Sequence, residues 1–101
     1  MASLLETLTE QADTSAELTI GAGETGVRFF VKDVKDMSVK IEVQPTGVGE
    51  WYPFQAYPRD DIPELRAQPL LLTGDKVRMH GHVIGSRRVN GTATVYLQTT
   101  S

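Results

Sequence analysis

Hydrophobic and polar residues alternate along much of the chain, most clearly over residues 76–83. Hydrophobic or small residues form one side of this stretch and basic residues the other: Val77, Met79, Gly81 and Val83 against Lys76, Arg78, His80 and His82. A period of two residues predicts a half-buried strand. Gly81 inside the pattern predicts a bend or bulge, as at the corners of small barrels. Because the polar side is entirely basic, one hypothesis is a surface for a polyanion.

Further strands are predicted from alternation and from β-forming residues. They cover residues 27–34, 37–43, 50–57 and 92–99, with a weaker candidate at 16–20. Lys35 and Asp36 predict either a hairpin or one sharply bent ribbon between the first two. Pro53 lacks a backbone donor, which places its strand at a sheet edge or at a bulge. Asn90-Gly91 predicts a hairpin turn before the last strand.

One short helix is expected between the third and fourth of the main strands. Asp60 or Asp61 can cap it, and Pro63 suits its first turn. We therefore predict a helix over residues 61–68.

Composition indicates one globular domain. The chain has 101 residues, of which 40% are hydrophobic and 23% charged. It contains no cysteine, which excludes disulfides and thiolate metal sites. No apolar run approaches the roughly 20 residues of a membrane span, and the acidic residues near the start are unlike a secretory signal. We expect a cytoplasmic protein without membrane partners.

Charge is segregated along the chain. The net charge is −3, yet residues 1–24 contain five acidic and no basic residues, and all ten basic residues follow. We expect residues 1–15 to form an acidic segment, as a short helix or a disordered tail, before a domain spanning residues 16–101. This segment could cover a basic groove and compete with a polyanion.

The order of predicted elements is strand, strand, strand, short helix, strand, strand. This is the arrangement of the OB fold, a five-stranded Greek-key β-barrel. Residues 50–98 also resemble bacterial single-stranded DNA-binding proteins. The resemblance lies in Trp51 after an acid in the third strand, the helix that follows, and the positions Gly74, Val77, Met79, Gly81, Val83, Arg87 and Arg88. It implies single-stranded DNA binding, a role in DNA replication and homo-oligomerisation.

Binding a single strand requires aromatic rings on which bases stack and cations that contact phosphates. The candidate residues are Arg28, Phe30, Lys32, Lys40, Trp51, Phe54, Lys76, Arg78, Arg87, Arg88 and Tyr96. The resemblance implies a binding face around the second and third strands and the loops, with Lys40, Trp51, Arg87 and Arg88 foremost. Some of the aromatic residues must instead fill the core, because a small barrel needs large side chains inside.

Other functions remain open at this point. A structural or protein-interaction subunit of a larger replication, conjugation or phage assembly is the alternative, and salt dependence distinguishes it from phosphate binding. His80 and His82 have a spacing that can chelate a metal, but no third ligand is evident, so we expect no metal or other cofactor. No nucleophile with a neighbouring base is evident either, so no enzymatic activity is predicted. The expected partner is single-stranded DNA rather than RNA.

Overall fold

The structure is a computed structural model that describes residues 2–57, 70–83 and 91–101. All elements in these residues are strands: β1 (Ser3–Thr9), β2 (Leu18–Thr19), β3 (Gly26–Lys35), β4 (Met37–Gln44), β5 (Tyr52–Tyr57), β6 (Lys76–Val83) and β7 (Thr92–Thr100). The prediction of an all-β protein is confirmed. The predicted number of five strands is wrong: β2 lies within the weaker candidate at residues 16–20, and β1 forms where no strand was predicted. The helix predicted over residues 61–68 lies outside the described residues.

The strands form two antiparallel sheets. Sheet A has the order β1-β7-β3, and sheet B has the order β2-β6-β4-β5. In the described part of the chain, no strand pairing joins the sheets into the closed barrel that was predicted. The physical reason is that β7 pairs with β1 on one side and β3 on the other, which leaves it no edge for β6. The expected hairpin between β6 and β7 is therefore also wrong.

The hydrophobic core lies between the inner faces of the two sheets. The alternation predicted for β4, β6 and β7 is confirmed for residues 37–44, 76–82 and 92–100, where the aliphatic side chains are buried. The core consists of Leu8, Leu18, Ile20, Met37, Val39, Ile41, Val43, Phe54, Leu71, Val77, Met79, Ala93, Val95 and Leu97. Each large apolar side chain buried in this way contributes about 1.5–3 kcal/mol to folding. The polar residues of the same strands are thereby fixed on the two outer faces.

One bent ribbon connects the two sheets. β3 belongs to sheet A and β4 to sheet B, and Asp36 alone separates them. Asp36 has a φ of 51°, a left-handed conformation that aspartate tolerates better than most residues. The bent ribbon, rather than the hairpin, is thus the correct one of the two predicted alternatives.

Bulges occur in β3 and β5 but not at Gly81. The register of β3 shifts between Lys32 and Lys35, and that of β5 shifts where Pro53 was expected to disturb pairing. The β4–β6 register runs past Gly81 without a shift. A Cβ atom at Gly81 would lie 2.5 Å from the Met37 sulfur, so this glycine serves close packing instead of a bulge.

The N-terminal segment is part of both sheets. β1 pairs with β7, and its side chains alternate, with Leu8 in the core and Leu5 facing outward. The prediction of a helix or a disordered tail in this segment is therefore wrong. The chain then runs along β6, where Gly81 N donates to Asp13 O at 2.7 Å and Ser15 N donates to Met79 O at 2.8 Å. β2 completes this edge of sheet B. The acidic segment is therefore built into the fold.

Candidate functional site

The outer face of sheet A, here called the open face, combines aromatic and basic side chains in regular rows. The pairing register aligns Leu5, Tyr96 and Phe30 in a central row across β1, β7 and β3. The neighbouring rows are polar and end in a cation on β3. They consist of Ser3, Gln98 and Arg28 on one side and of Thr7, Thr94 and Lys32 on the other. An apolar row thus lies between two polar rows.

The rings of Phe30 and Tyr96 form the centre of the open face. Their centroids are 5.8 Å apart and their planes are tilted by 39°. Phe30 is 52% exposed and Leu5 is 64% exposed, which is unusual for side chains of this size. The Arg28 guanidinium lies 5.0 Å from the centre of the Phe30 ring, within the range of a cation–π contact. This row therefore presents ring surface and a cation to solvent together.

The cations of the open face are available to a ligand. Arg28, Lys32 and Lys35 are exposed, and none of them forms an ion pair with another residue that the structure describes. Two exposed acids accompany these cations: Asp33 lies at the bulge of β3, between Lys32 and Lys35, and Asp36 follows Lys35. On β1, Glu6 accepts a hydrogen bond from Ala16 N at 2.9 Å. The described cations of this face thus all lie on β3, and acids are close to them only near the bulge.

The outer face of sheet B, here called the closed face, carries the basic side of β6, and three of the four basic side chains of β6 lie beside acids. Lys76 Nζ lies 3.7 Å from Glu17 Oε1, and Arg78 Nε donates to Glu42 Oε1 at 2.9 Å. His80 Nε2 lies 3.5 Å from Asp13 Oδ2. Acids from both neighbours of β6 in the sheet therefore neutralise the pattern that first suggested a polyanion surface.

Glu42 is the central group of the closed face. Its side chain is only 8% exposed, and its Oε1 contacts Arg78 and lies 3.4 Å from His80 Nδ1. That nitrogen is buried and lacks the alignment of a hydrogen bond with any group the structure describes. The hydrogen bond from the Thr14 hydroxyl holds the pKa of Asp13 below its usual value; desolvation opposes this effect, and the nearby His80 ring adds to it. The closed face is a network of ion pairs.

The structure separates the predicted site residues into three groups. It brings Arg28, Phe30, Lys32 and Tyr96 together on the open face. Lys40, Lys76 and Arg78 lie on the closed face, beside Trp51, and the Arg78 guanidinium covers the Trp51 ring at 4.1 Å. Phe54 is a core residue with 4% exposure, so it presents no ring face to a base. Arg87 and Arg88 lie outside the described residues.

Two residues of the open face were not predicted. Lys35 follows Lys32 by three positions, so simple alternation places it on the opposite side of the strand. The bulge at Asp33 and Val34 returns it to the outer face, where it pairs with Thr92. Leu5 belongs to residues 1–15, for which a short helix or a disordered tail is predicted instead of a strand. An odd spacing between two lysines around an aspartate is the only sequence signal that could have indicated the bulge.

Comparisons with known proteins identify no relative of this chain. No family model, curated protein or solved structure matches it. In the described part of the chain, no helix is long and apolar enough to cross a membrane. Among the same residues there is no group of three or more His, Asp or Glu side chains placed to hold a metal ion. Any functional conclusion therefore depends on the two outer faces.

Proposed function

We propose that the protein binds single-stranded nucleic acid, DNA in preference to RNA, on the open face of sheet A. The observation that carries this proposal is the pair formed by exposed Phe30 and half-buried Tyr96 between Arg28 and Lys32, two cations without a described ion-pair partner. Exposed rings and free cations in one surface are the two features that single-strand binding requires.

The energetics suit a ligand with little sequence preference. Stacking on an aromatic ring contributes about 1–3 kcal/mol per base, and every base has a face to stack. Two rings therefore supply about 2–6 kcal/mol. The cations add phosphate contacts that carry no sequence information. The net charge of −3 does not oppose this, because the rows that contain Arg28, Phe30 and Lys32 hold no acid and the field near these rows is local at physiological salt.

A duplex fits the open face less well than a single strand. In a duplex the bases stack on one another, so the rings of Phe30 and Tyr96 would have no base faces to contact without unstacking. Only the phosphate contacts would remain. We therefore expect a single strand to bind more tightly than a duplex of the same sequence.

The test is a titration of a labelled oligo-dT of about 30 nucleotides by fluorescence anisotropy at low and moderate salt. We expect micromolar or tighter binding that weakens with salt, and weaker binding of the matched duplex. Oligo-U of the same length tests the preference for DNA. The variant Phe30→Ala should bind more weakly, while Tyr57→Ala, which removes a comparably exposed ring from sheet B, should bind like the unmodified protein. Absence of binding at low salt would end the proposal.

A second candidate is a protein-interaction subunit of a larger assembly. The observation that favours it is Leu5, which is 64% exposed and extends the apolar row beyond the two rings. Such a row can also bury itself against another protein, including a second copy of this chain. Sedimentation of the protein at low and high salt tests self-association: apolar association persists at high salt, whereas phosphate binding does not.

A further inference from the structure

The distribution of charge on the open face is asymmetric. All three of its cations, Arg28, Lys32 and Lys35, belong to β3, which is an edge strand of sheet A. The outward residues of β7 and β1 are neutral. They are Thr92, Thr94, Tyr96, Gln98 and Thr100 on β7, and Ser3, Leu5, Thr7 and Thr9 on β1. The face therefore has a basic edge and a neutral interior.

The three cations form a line parallel to the strand. Arg28 and Lys32 are four residues apart, which corresponds to about 13 Å at the usual rise of a strand. Lys35 lies one outward row beyond Lys32, since it pairs with Thr92 while Lys32 pairs with Thr94. This adds about 7 Å, so the line extends over about 20 Å.

One ring lies within this line and the other on its inner side. Phe30 occupies the row between Arg28 and Lys32 on β3, and Tyr96 follows in the same row on β7. A base attached to a backbone above β3 would meet Phe30 directly and would reach Tyr96 only if it turned across the sheet toward β1. Gln98 lies one row away from Tyr96, and its amide can both donate and accept hydrogen bonds, so it can contact different bases.

We propose, as an extension of the proposed function, that a bound single strand runs along β3. Its phosphates contact Arg28, Lys32 and Lys35, and its bases turn inward over Phe30 and Tyr96. With two stacking positions and three phosphate contacts, the site holds about four nucleotides, at the lower end of the range of about 4–16 known for one small binding domain. The basic side of β6 takes no part, because acids of the same sheet neutralise it.

The test is the salt dependence of oligo-dT binding in charge-neutralising variants. Each phosphate contact contributes about −0.7 to the slope of log affinity against log salt for single strands. We expect a slope near −2 for the unmodified protein and a reduction by about 0.7 for each of Arg28→Gln, Lys32→Gln and Lys35→Gln. Lys40→Gln and Lys76→Gln, two cations of the closed face, are the matched controls and should leave the slope unchanged.

A length series gives a second, independent measurement. Affinity for oligo-dT of two to twelve nucleotides should rise steeply up to about four nucleotides. Beyond that length it should rise only slightly, because a longer strand can occupy the same site in more than one register. Inorganic polyphosphate is the probe for the charged edge alone. The variant that combines Arg28→Gln, Lys32→Gln and Lys35→Gln should not bind polyphosphate, whereas Phe30→Ala should still bind it. Thermal unfolding checks that the variants are folded, which the exposure of all three cations leads us to expect.

The outcomes separate this inference from the proposed function. If oligo-dT binds but its salt slope falls in Lys40→Gln and Lys76→Gln instead of in the β3 variants, the path along β3 is wrong and single-strand binding stands. If tight binding needs ten or more nucleotides, the proposed path along β3 is likewise wrong, and single-strand binding still stands. If the unmodified protein binds no oligo-dT at low salt, both proposals fail.

Discussion

The open face and the closed face place similar side chains in different electrostatic surroundings. In each, an arginine lies against an aromatic ring: Arg28 at 5.0 Å from the Phe30 centroid and Arg78 at 4.1 Å from that of Trp51. Arg78 is also held by Glu42, whereas Arg28 forms no ion pair with any residue in the described ranges. A basic alternation alone therefore does not make a polyanion site. The neighbouring strands decide whether the charge is available.

The largest expected effect is the loss of both rings from the open face. In the double variant Phe30→Ala and Tyr96→Ala, we expect the affinity for oligo-dT to fall at least 30-fold, because two stacking contacts of about 1–3 kcal/mol each are removed. Fluorescence anisotropy measures the change. The control removes two exposed rings from sheet B, Tyr52→Ala with Tyr57→Ala. Equal losses in the two double variants would show that the loss does not depend on the rings of the open face.

A second variant tests whether oligo-dT binding on the open face depends on the stability of sheet B. Asp75 is buried and accepts hydrogen bonds from Leu72 N, Thr46 N and Thr46 Oγ1 at 2.9–3.0 Å. We expect Asp75→Asn to lower the free energy of unfolding in urea by about 2–3 kcal/mol, because bonds to a charged acceptor are lost. The folded variant should bind oligo-dT within twofold of the unmodified protein. A tenfold change in affinity would show that the sheets are coupled.

The same carboxylate predicts a dependence of stability on pH. Burial raises the pKa of Asp75, but the bonds from Leu72 N and from the Thr46 N–H and hydroxyl lower it more, so the net pKa is below its usual value. A lowered pKa in the folded state stabilises the protein above the unfolded pKa of about 3.9. This contribution is lost as the pH falls through the folded pKa. Urea unfolding below pH 4 should show the loss in the unmodified protein and a smaller one in Asp75→Asn.

A smaller effect is expected from the central acid of the closed face. Glu42→Gln keeps the shape of the side chain but removes the charge that holds Arg78 beside His80. We expect the free energy of unfolding to fall by about 1–2 kcal/mol, because the Arg78 guanidinium loses a buried charged partner. Arg28→Gln on the open face is the control and should change stability by less than about 0.5 kcal/mol. A larger loss in Arg28→Gln than in Glu42→Gln would reverse the assignment of the two faces.

The smallest effect is expected from the acids of the N-terminal segment. Asp13 and Glu17 are about half exposed, and ion pairs of exposed groups contribute about 0–1 kcal/mol. The double variant Asp13→Asn and Glu17→Gln should therefore change stability by less than about 1 kcal/mol and oligo-dT affinity by less than about threefold. Tenfold tighter binding that Lys76→Gln reverses would instead show that the segment covers a second binding surface.

Local patterns predicted which side of a strand each residue occupies, but not which strands are neighbours. Alternation placed Arg28, Phe30 and Lys32 on one side of β3 and Tyr96 on the polar side of β7, as the structure confirms. Nothing local indicated that β3 pairs with β7, since the two strands are more than 50 residues apart. The sequence pattern correctly predicted that the basic residues of β6 share one side of the strand. It did not indicate the acids beside them, which come from β4 and from residues 13–17.

The position of β7 at the centre of sheet A has a consequence for the order of folding. β1 and β3 pair with β7 and not with each other, and β7 is the last of the seven strands along the chain. During synthesis, β4, β5 and β6 of sheet B emerge and can pair first. The open face comes into existence only when β7 inserts between two strands that were made much earlier. Contacts this distant in sequence fold slowly, so we expect newly made chains to display Phe30 and Leu5 on unpaired strands before the surface is complete.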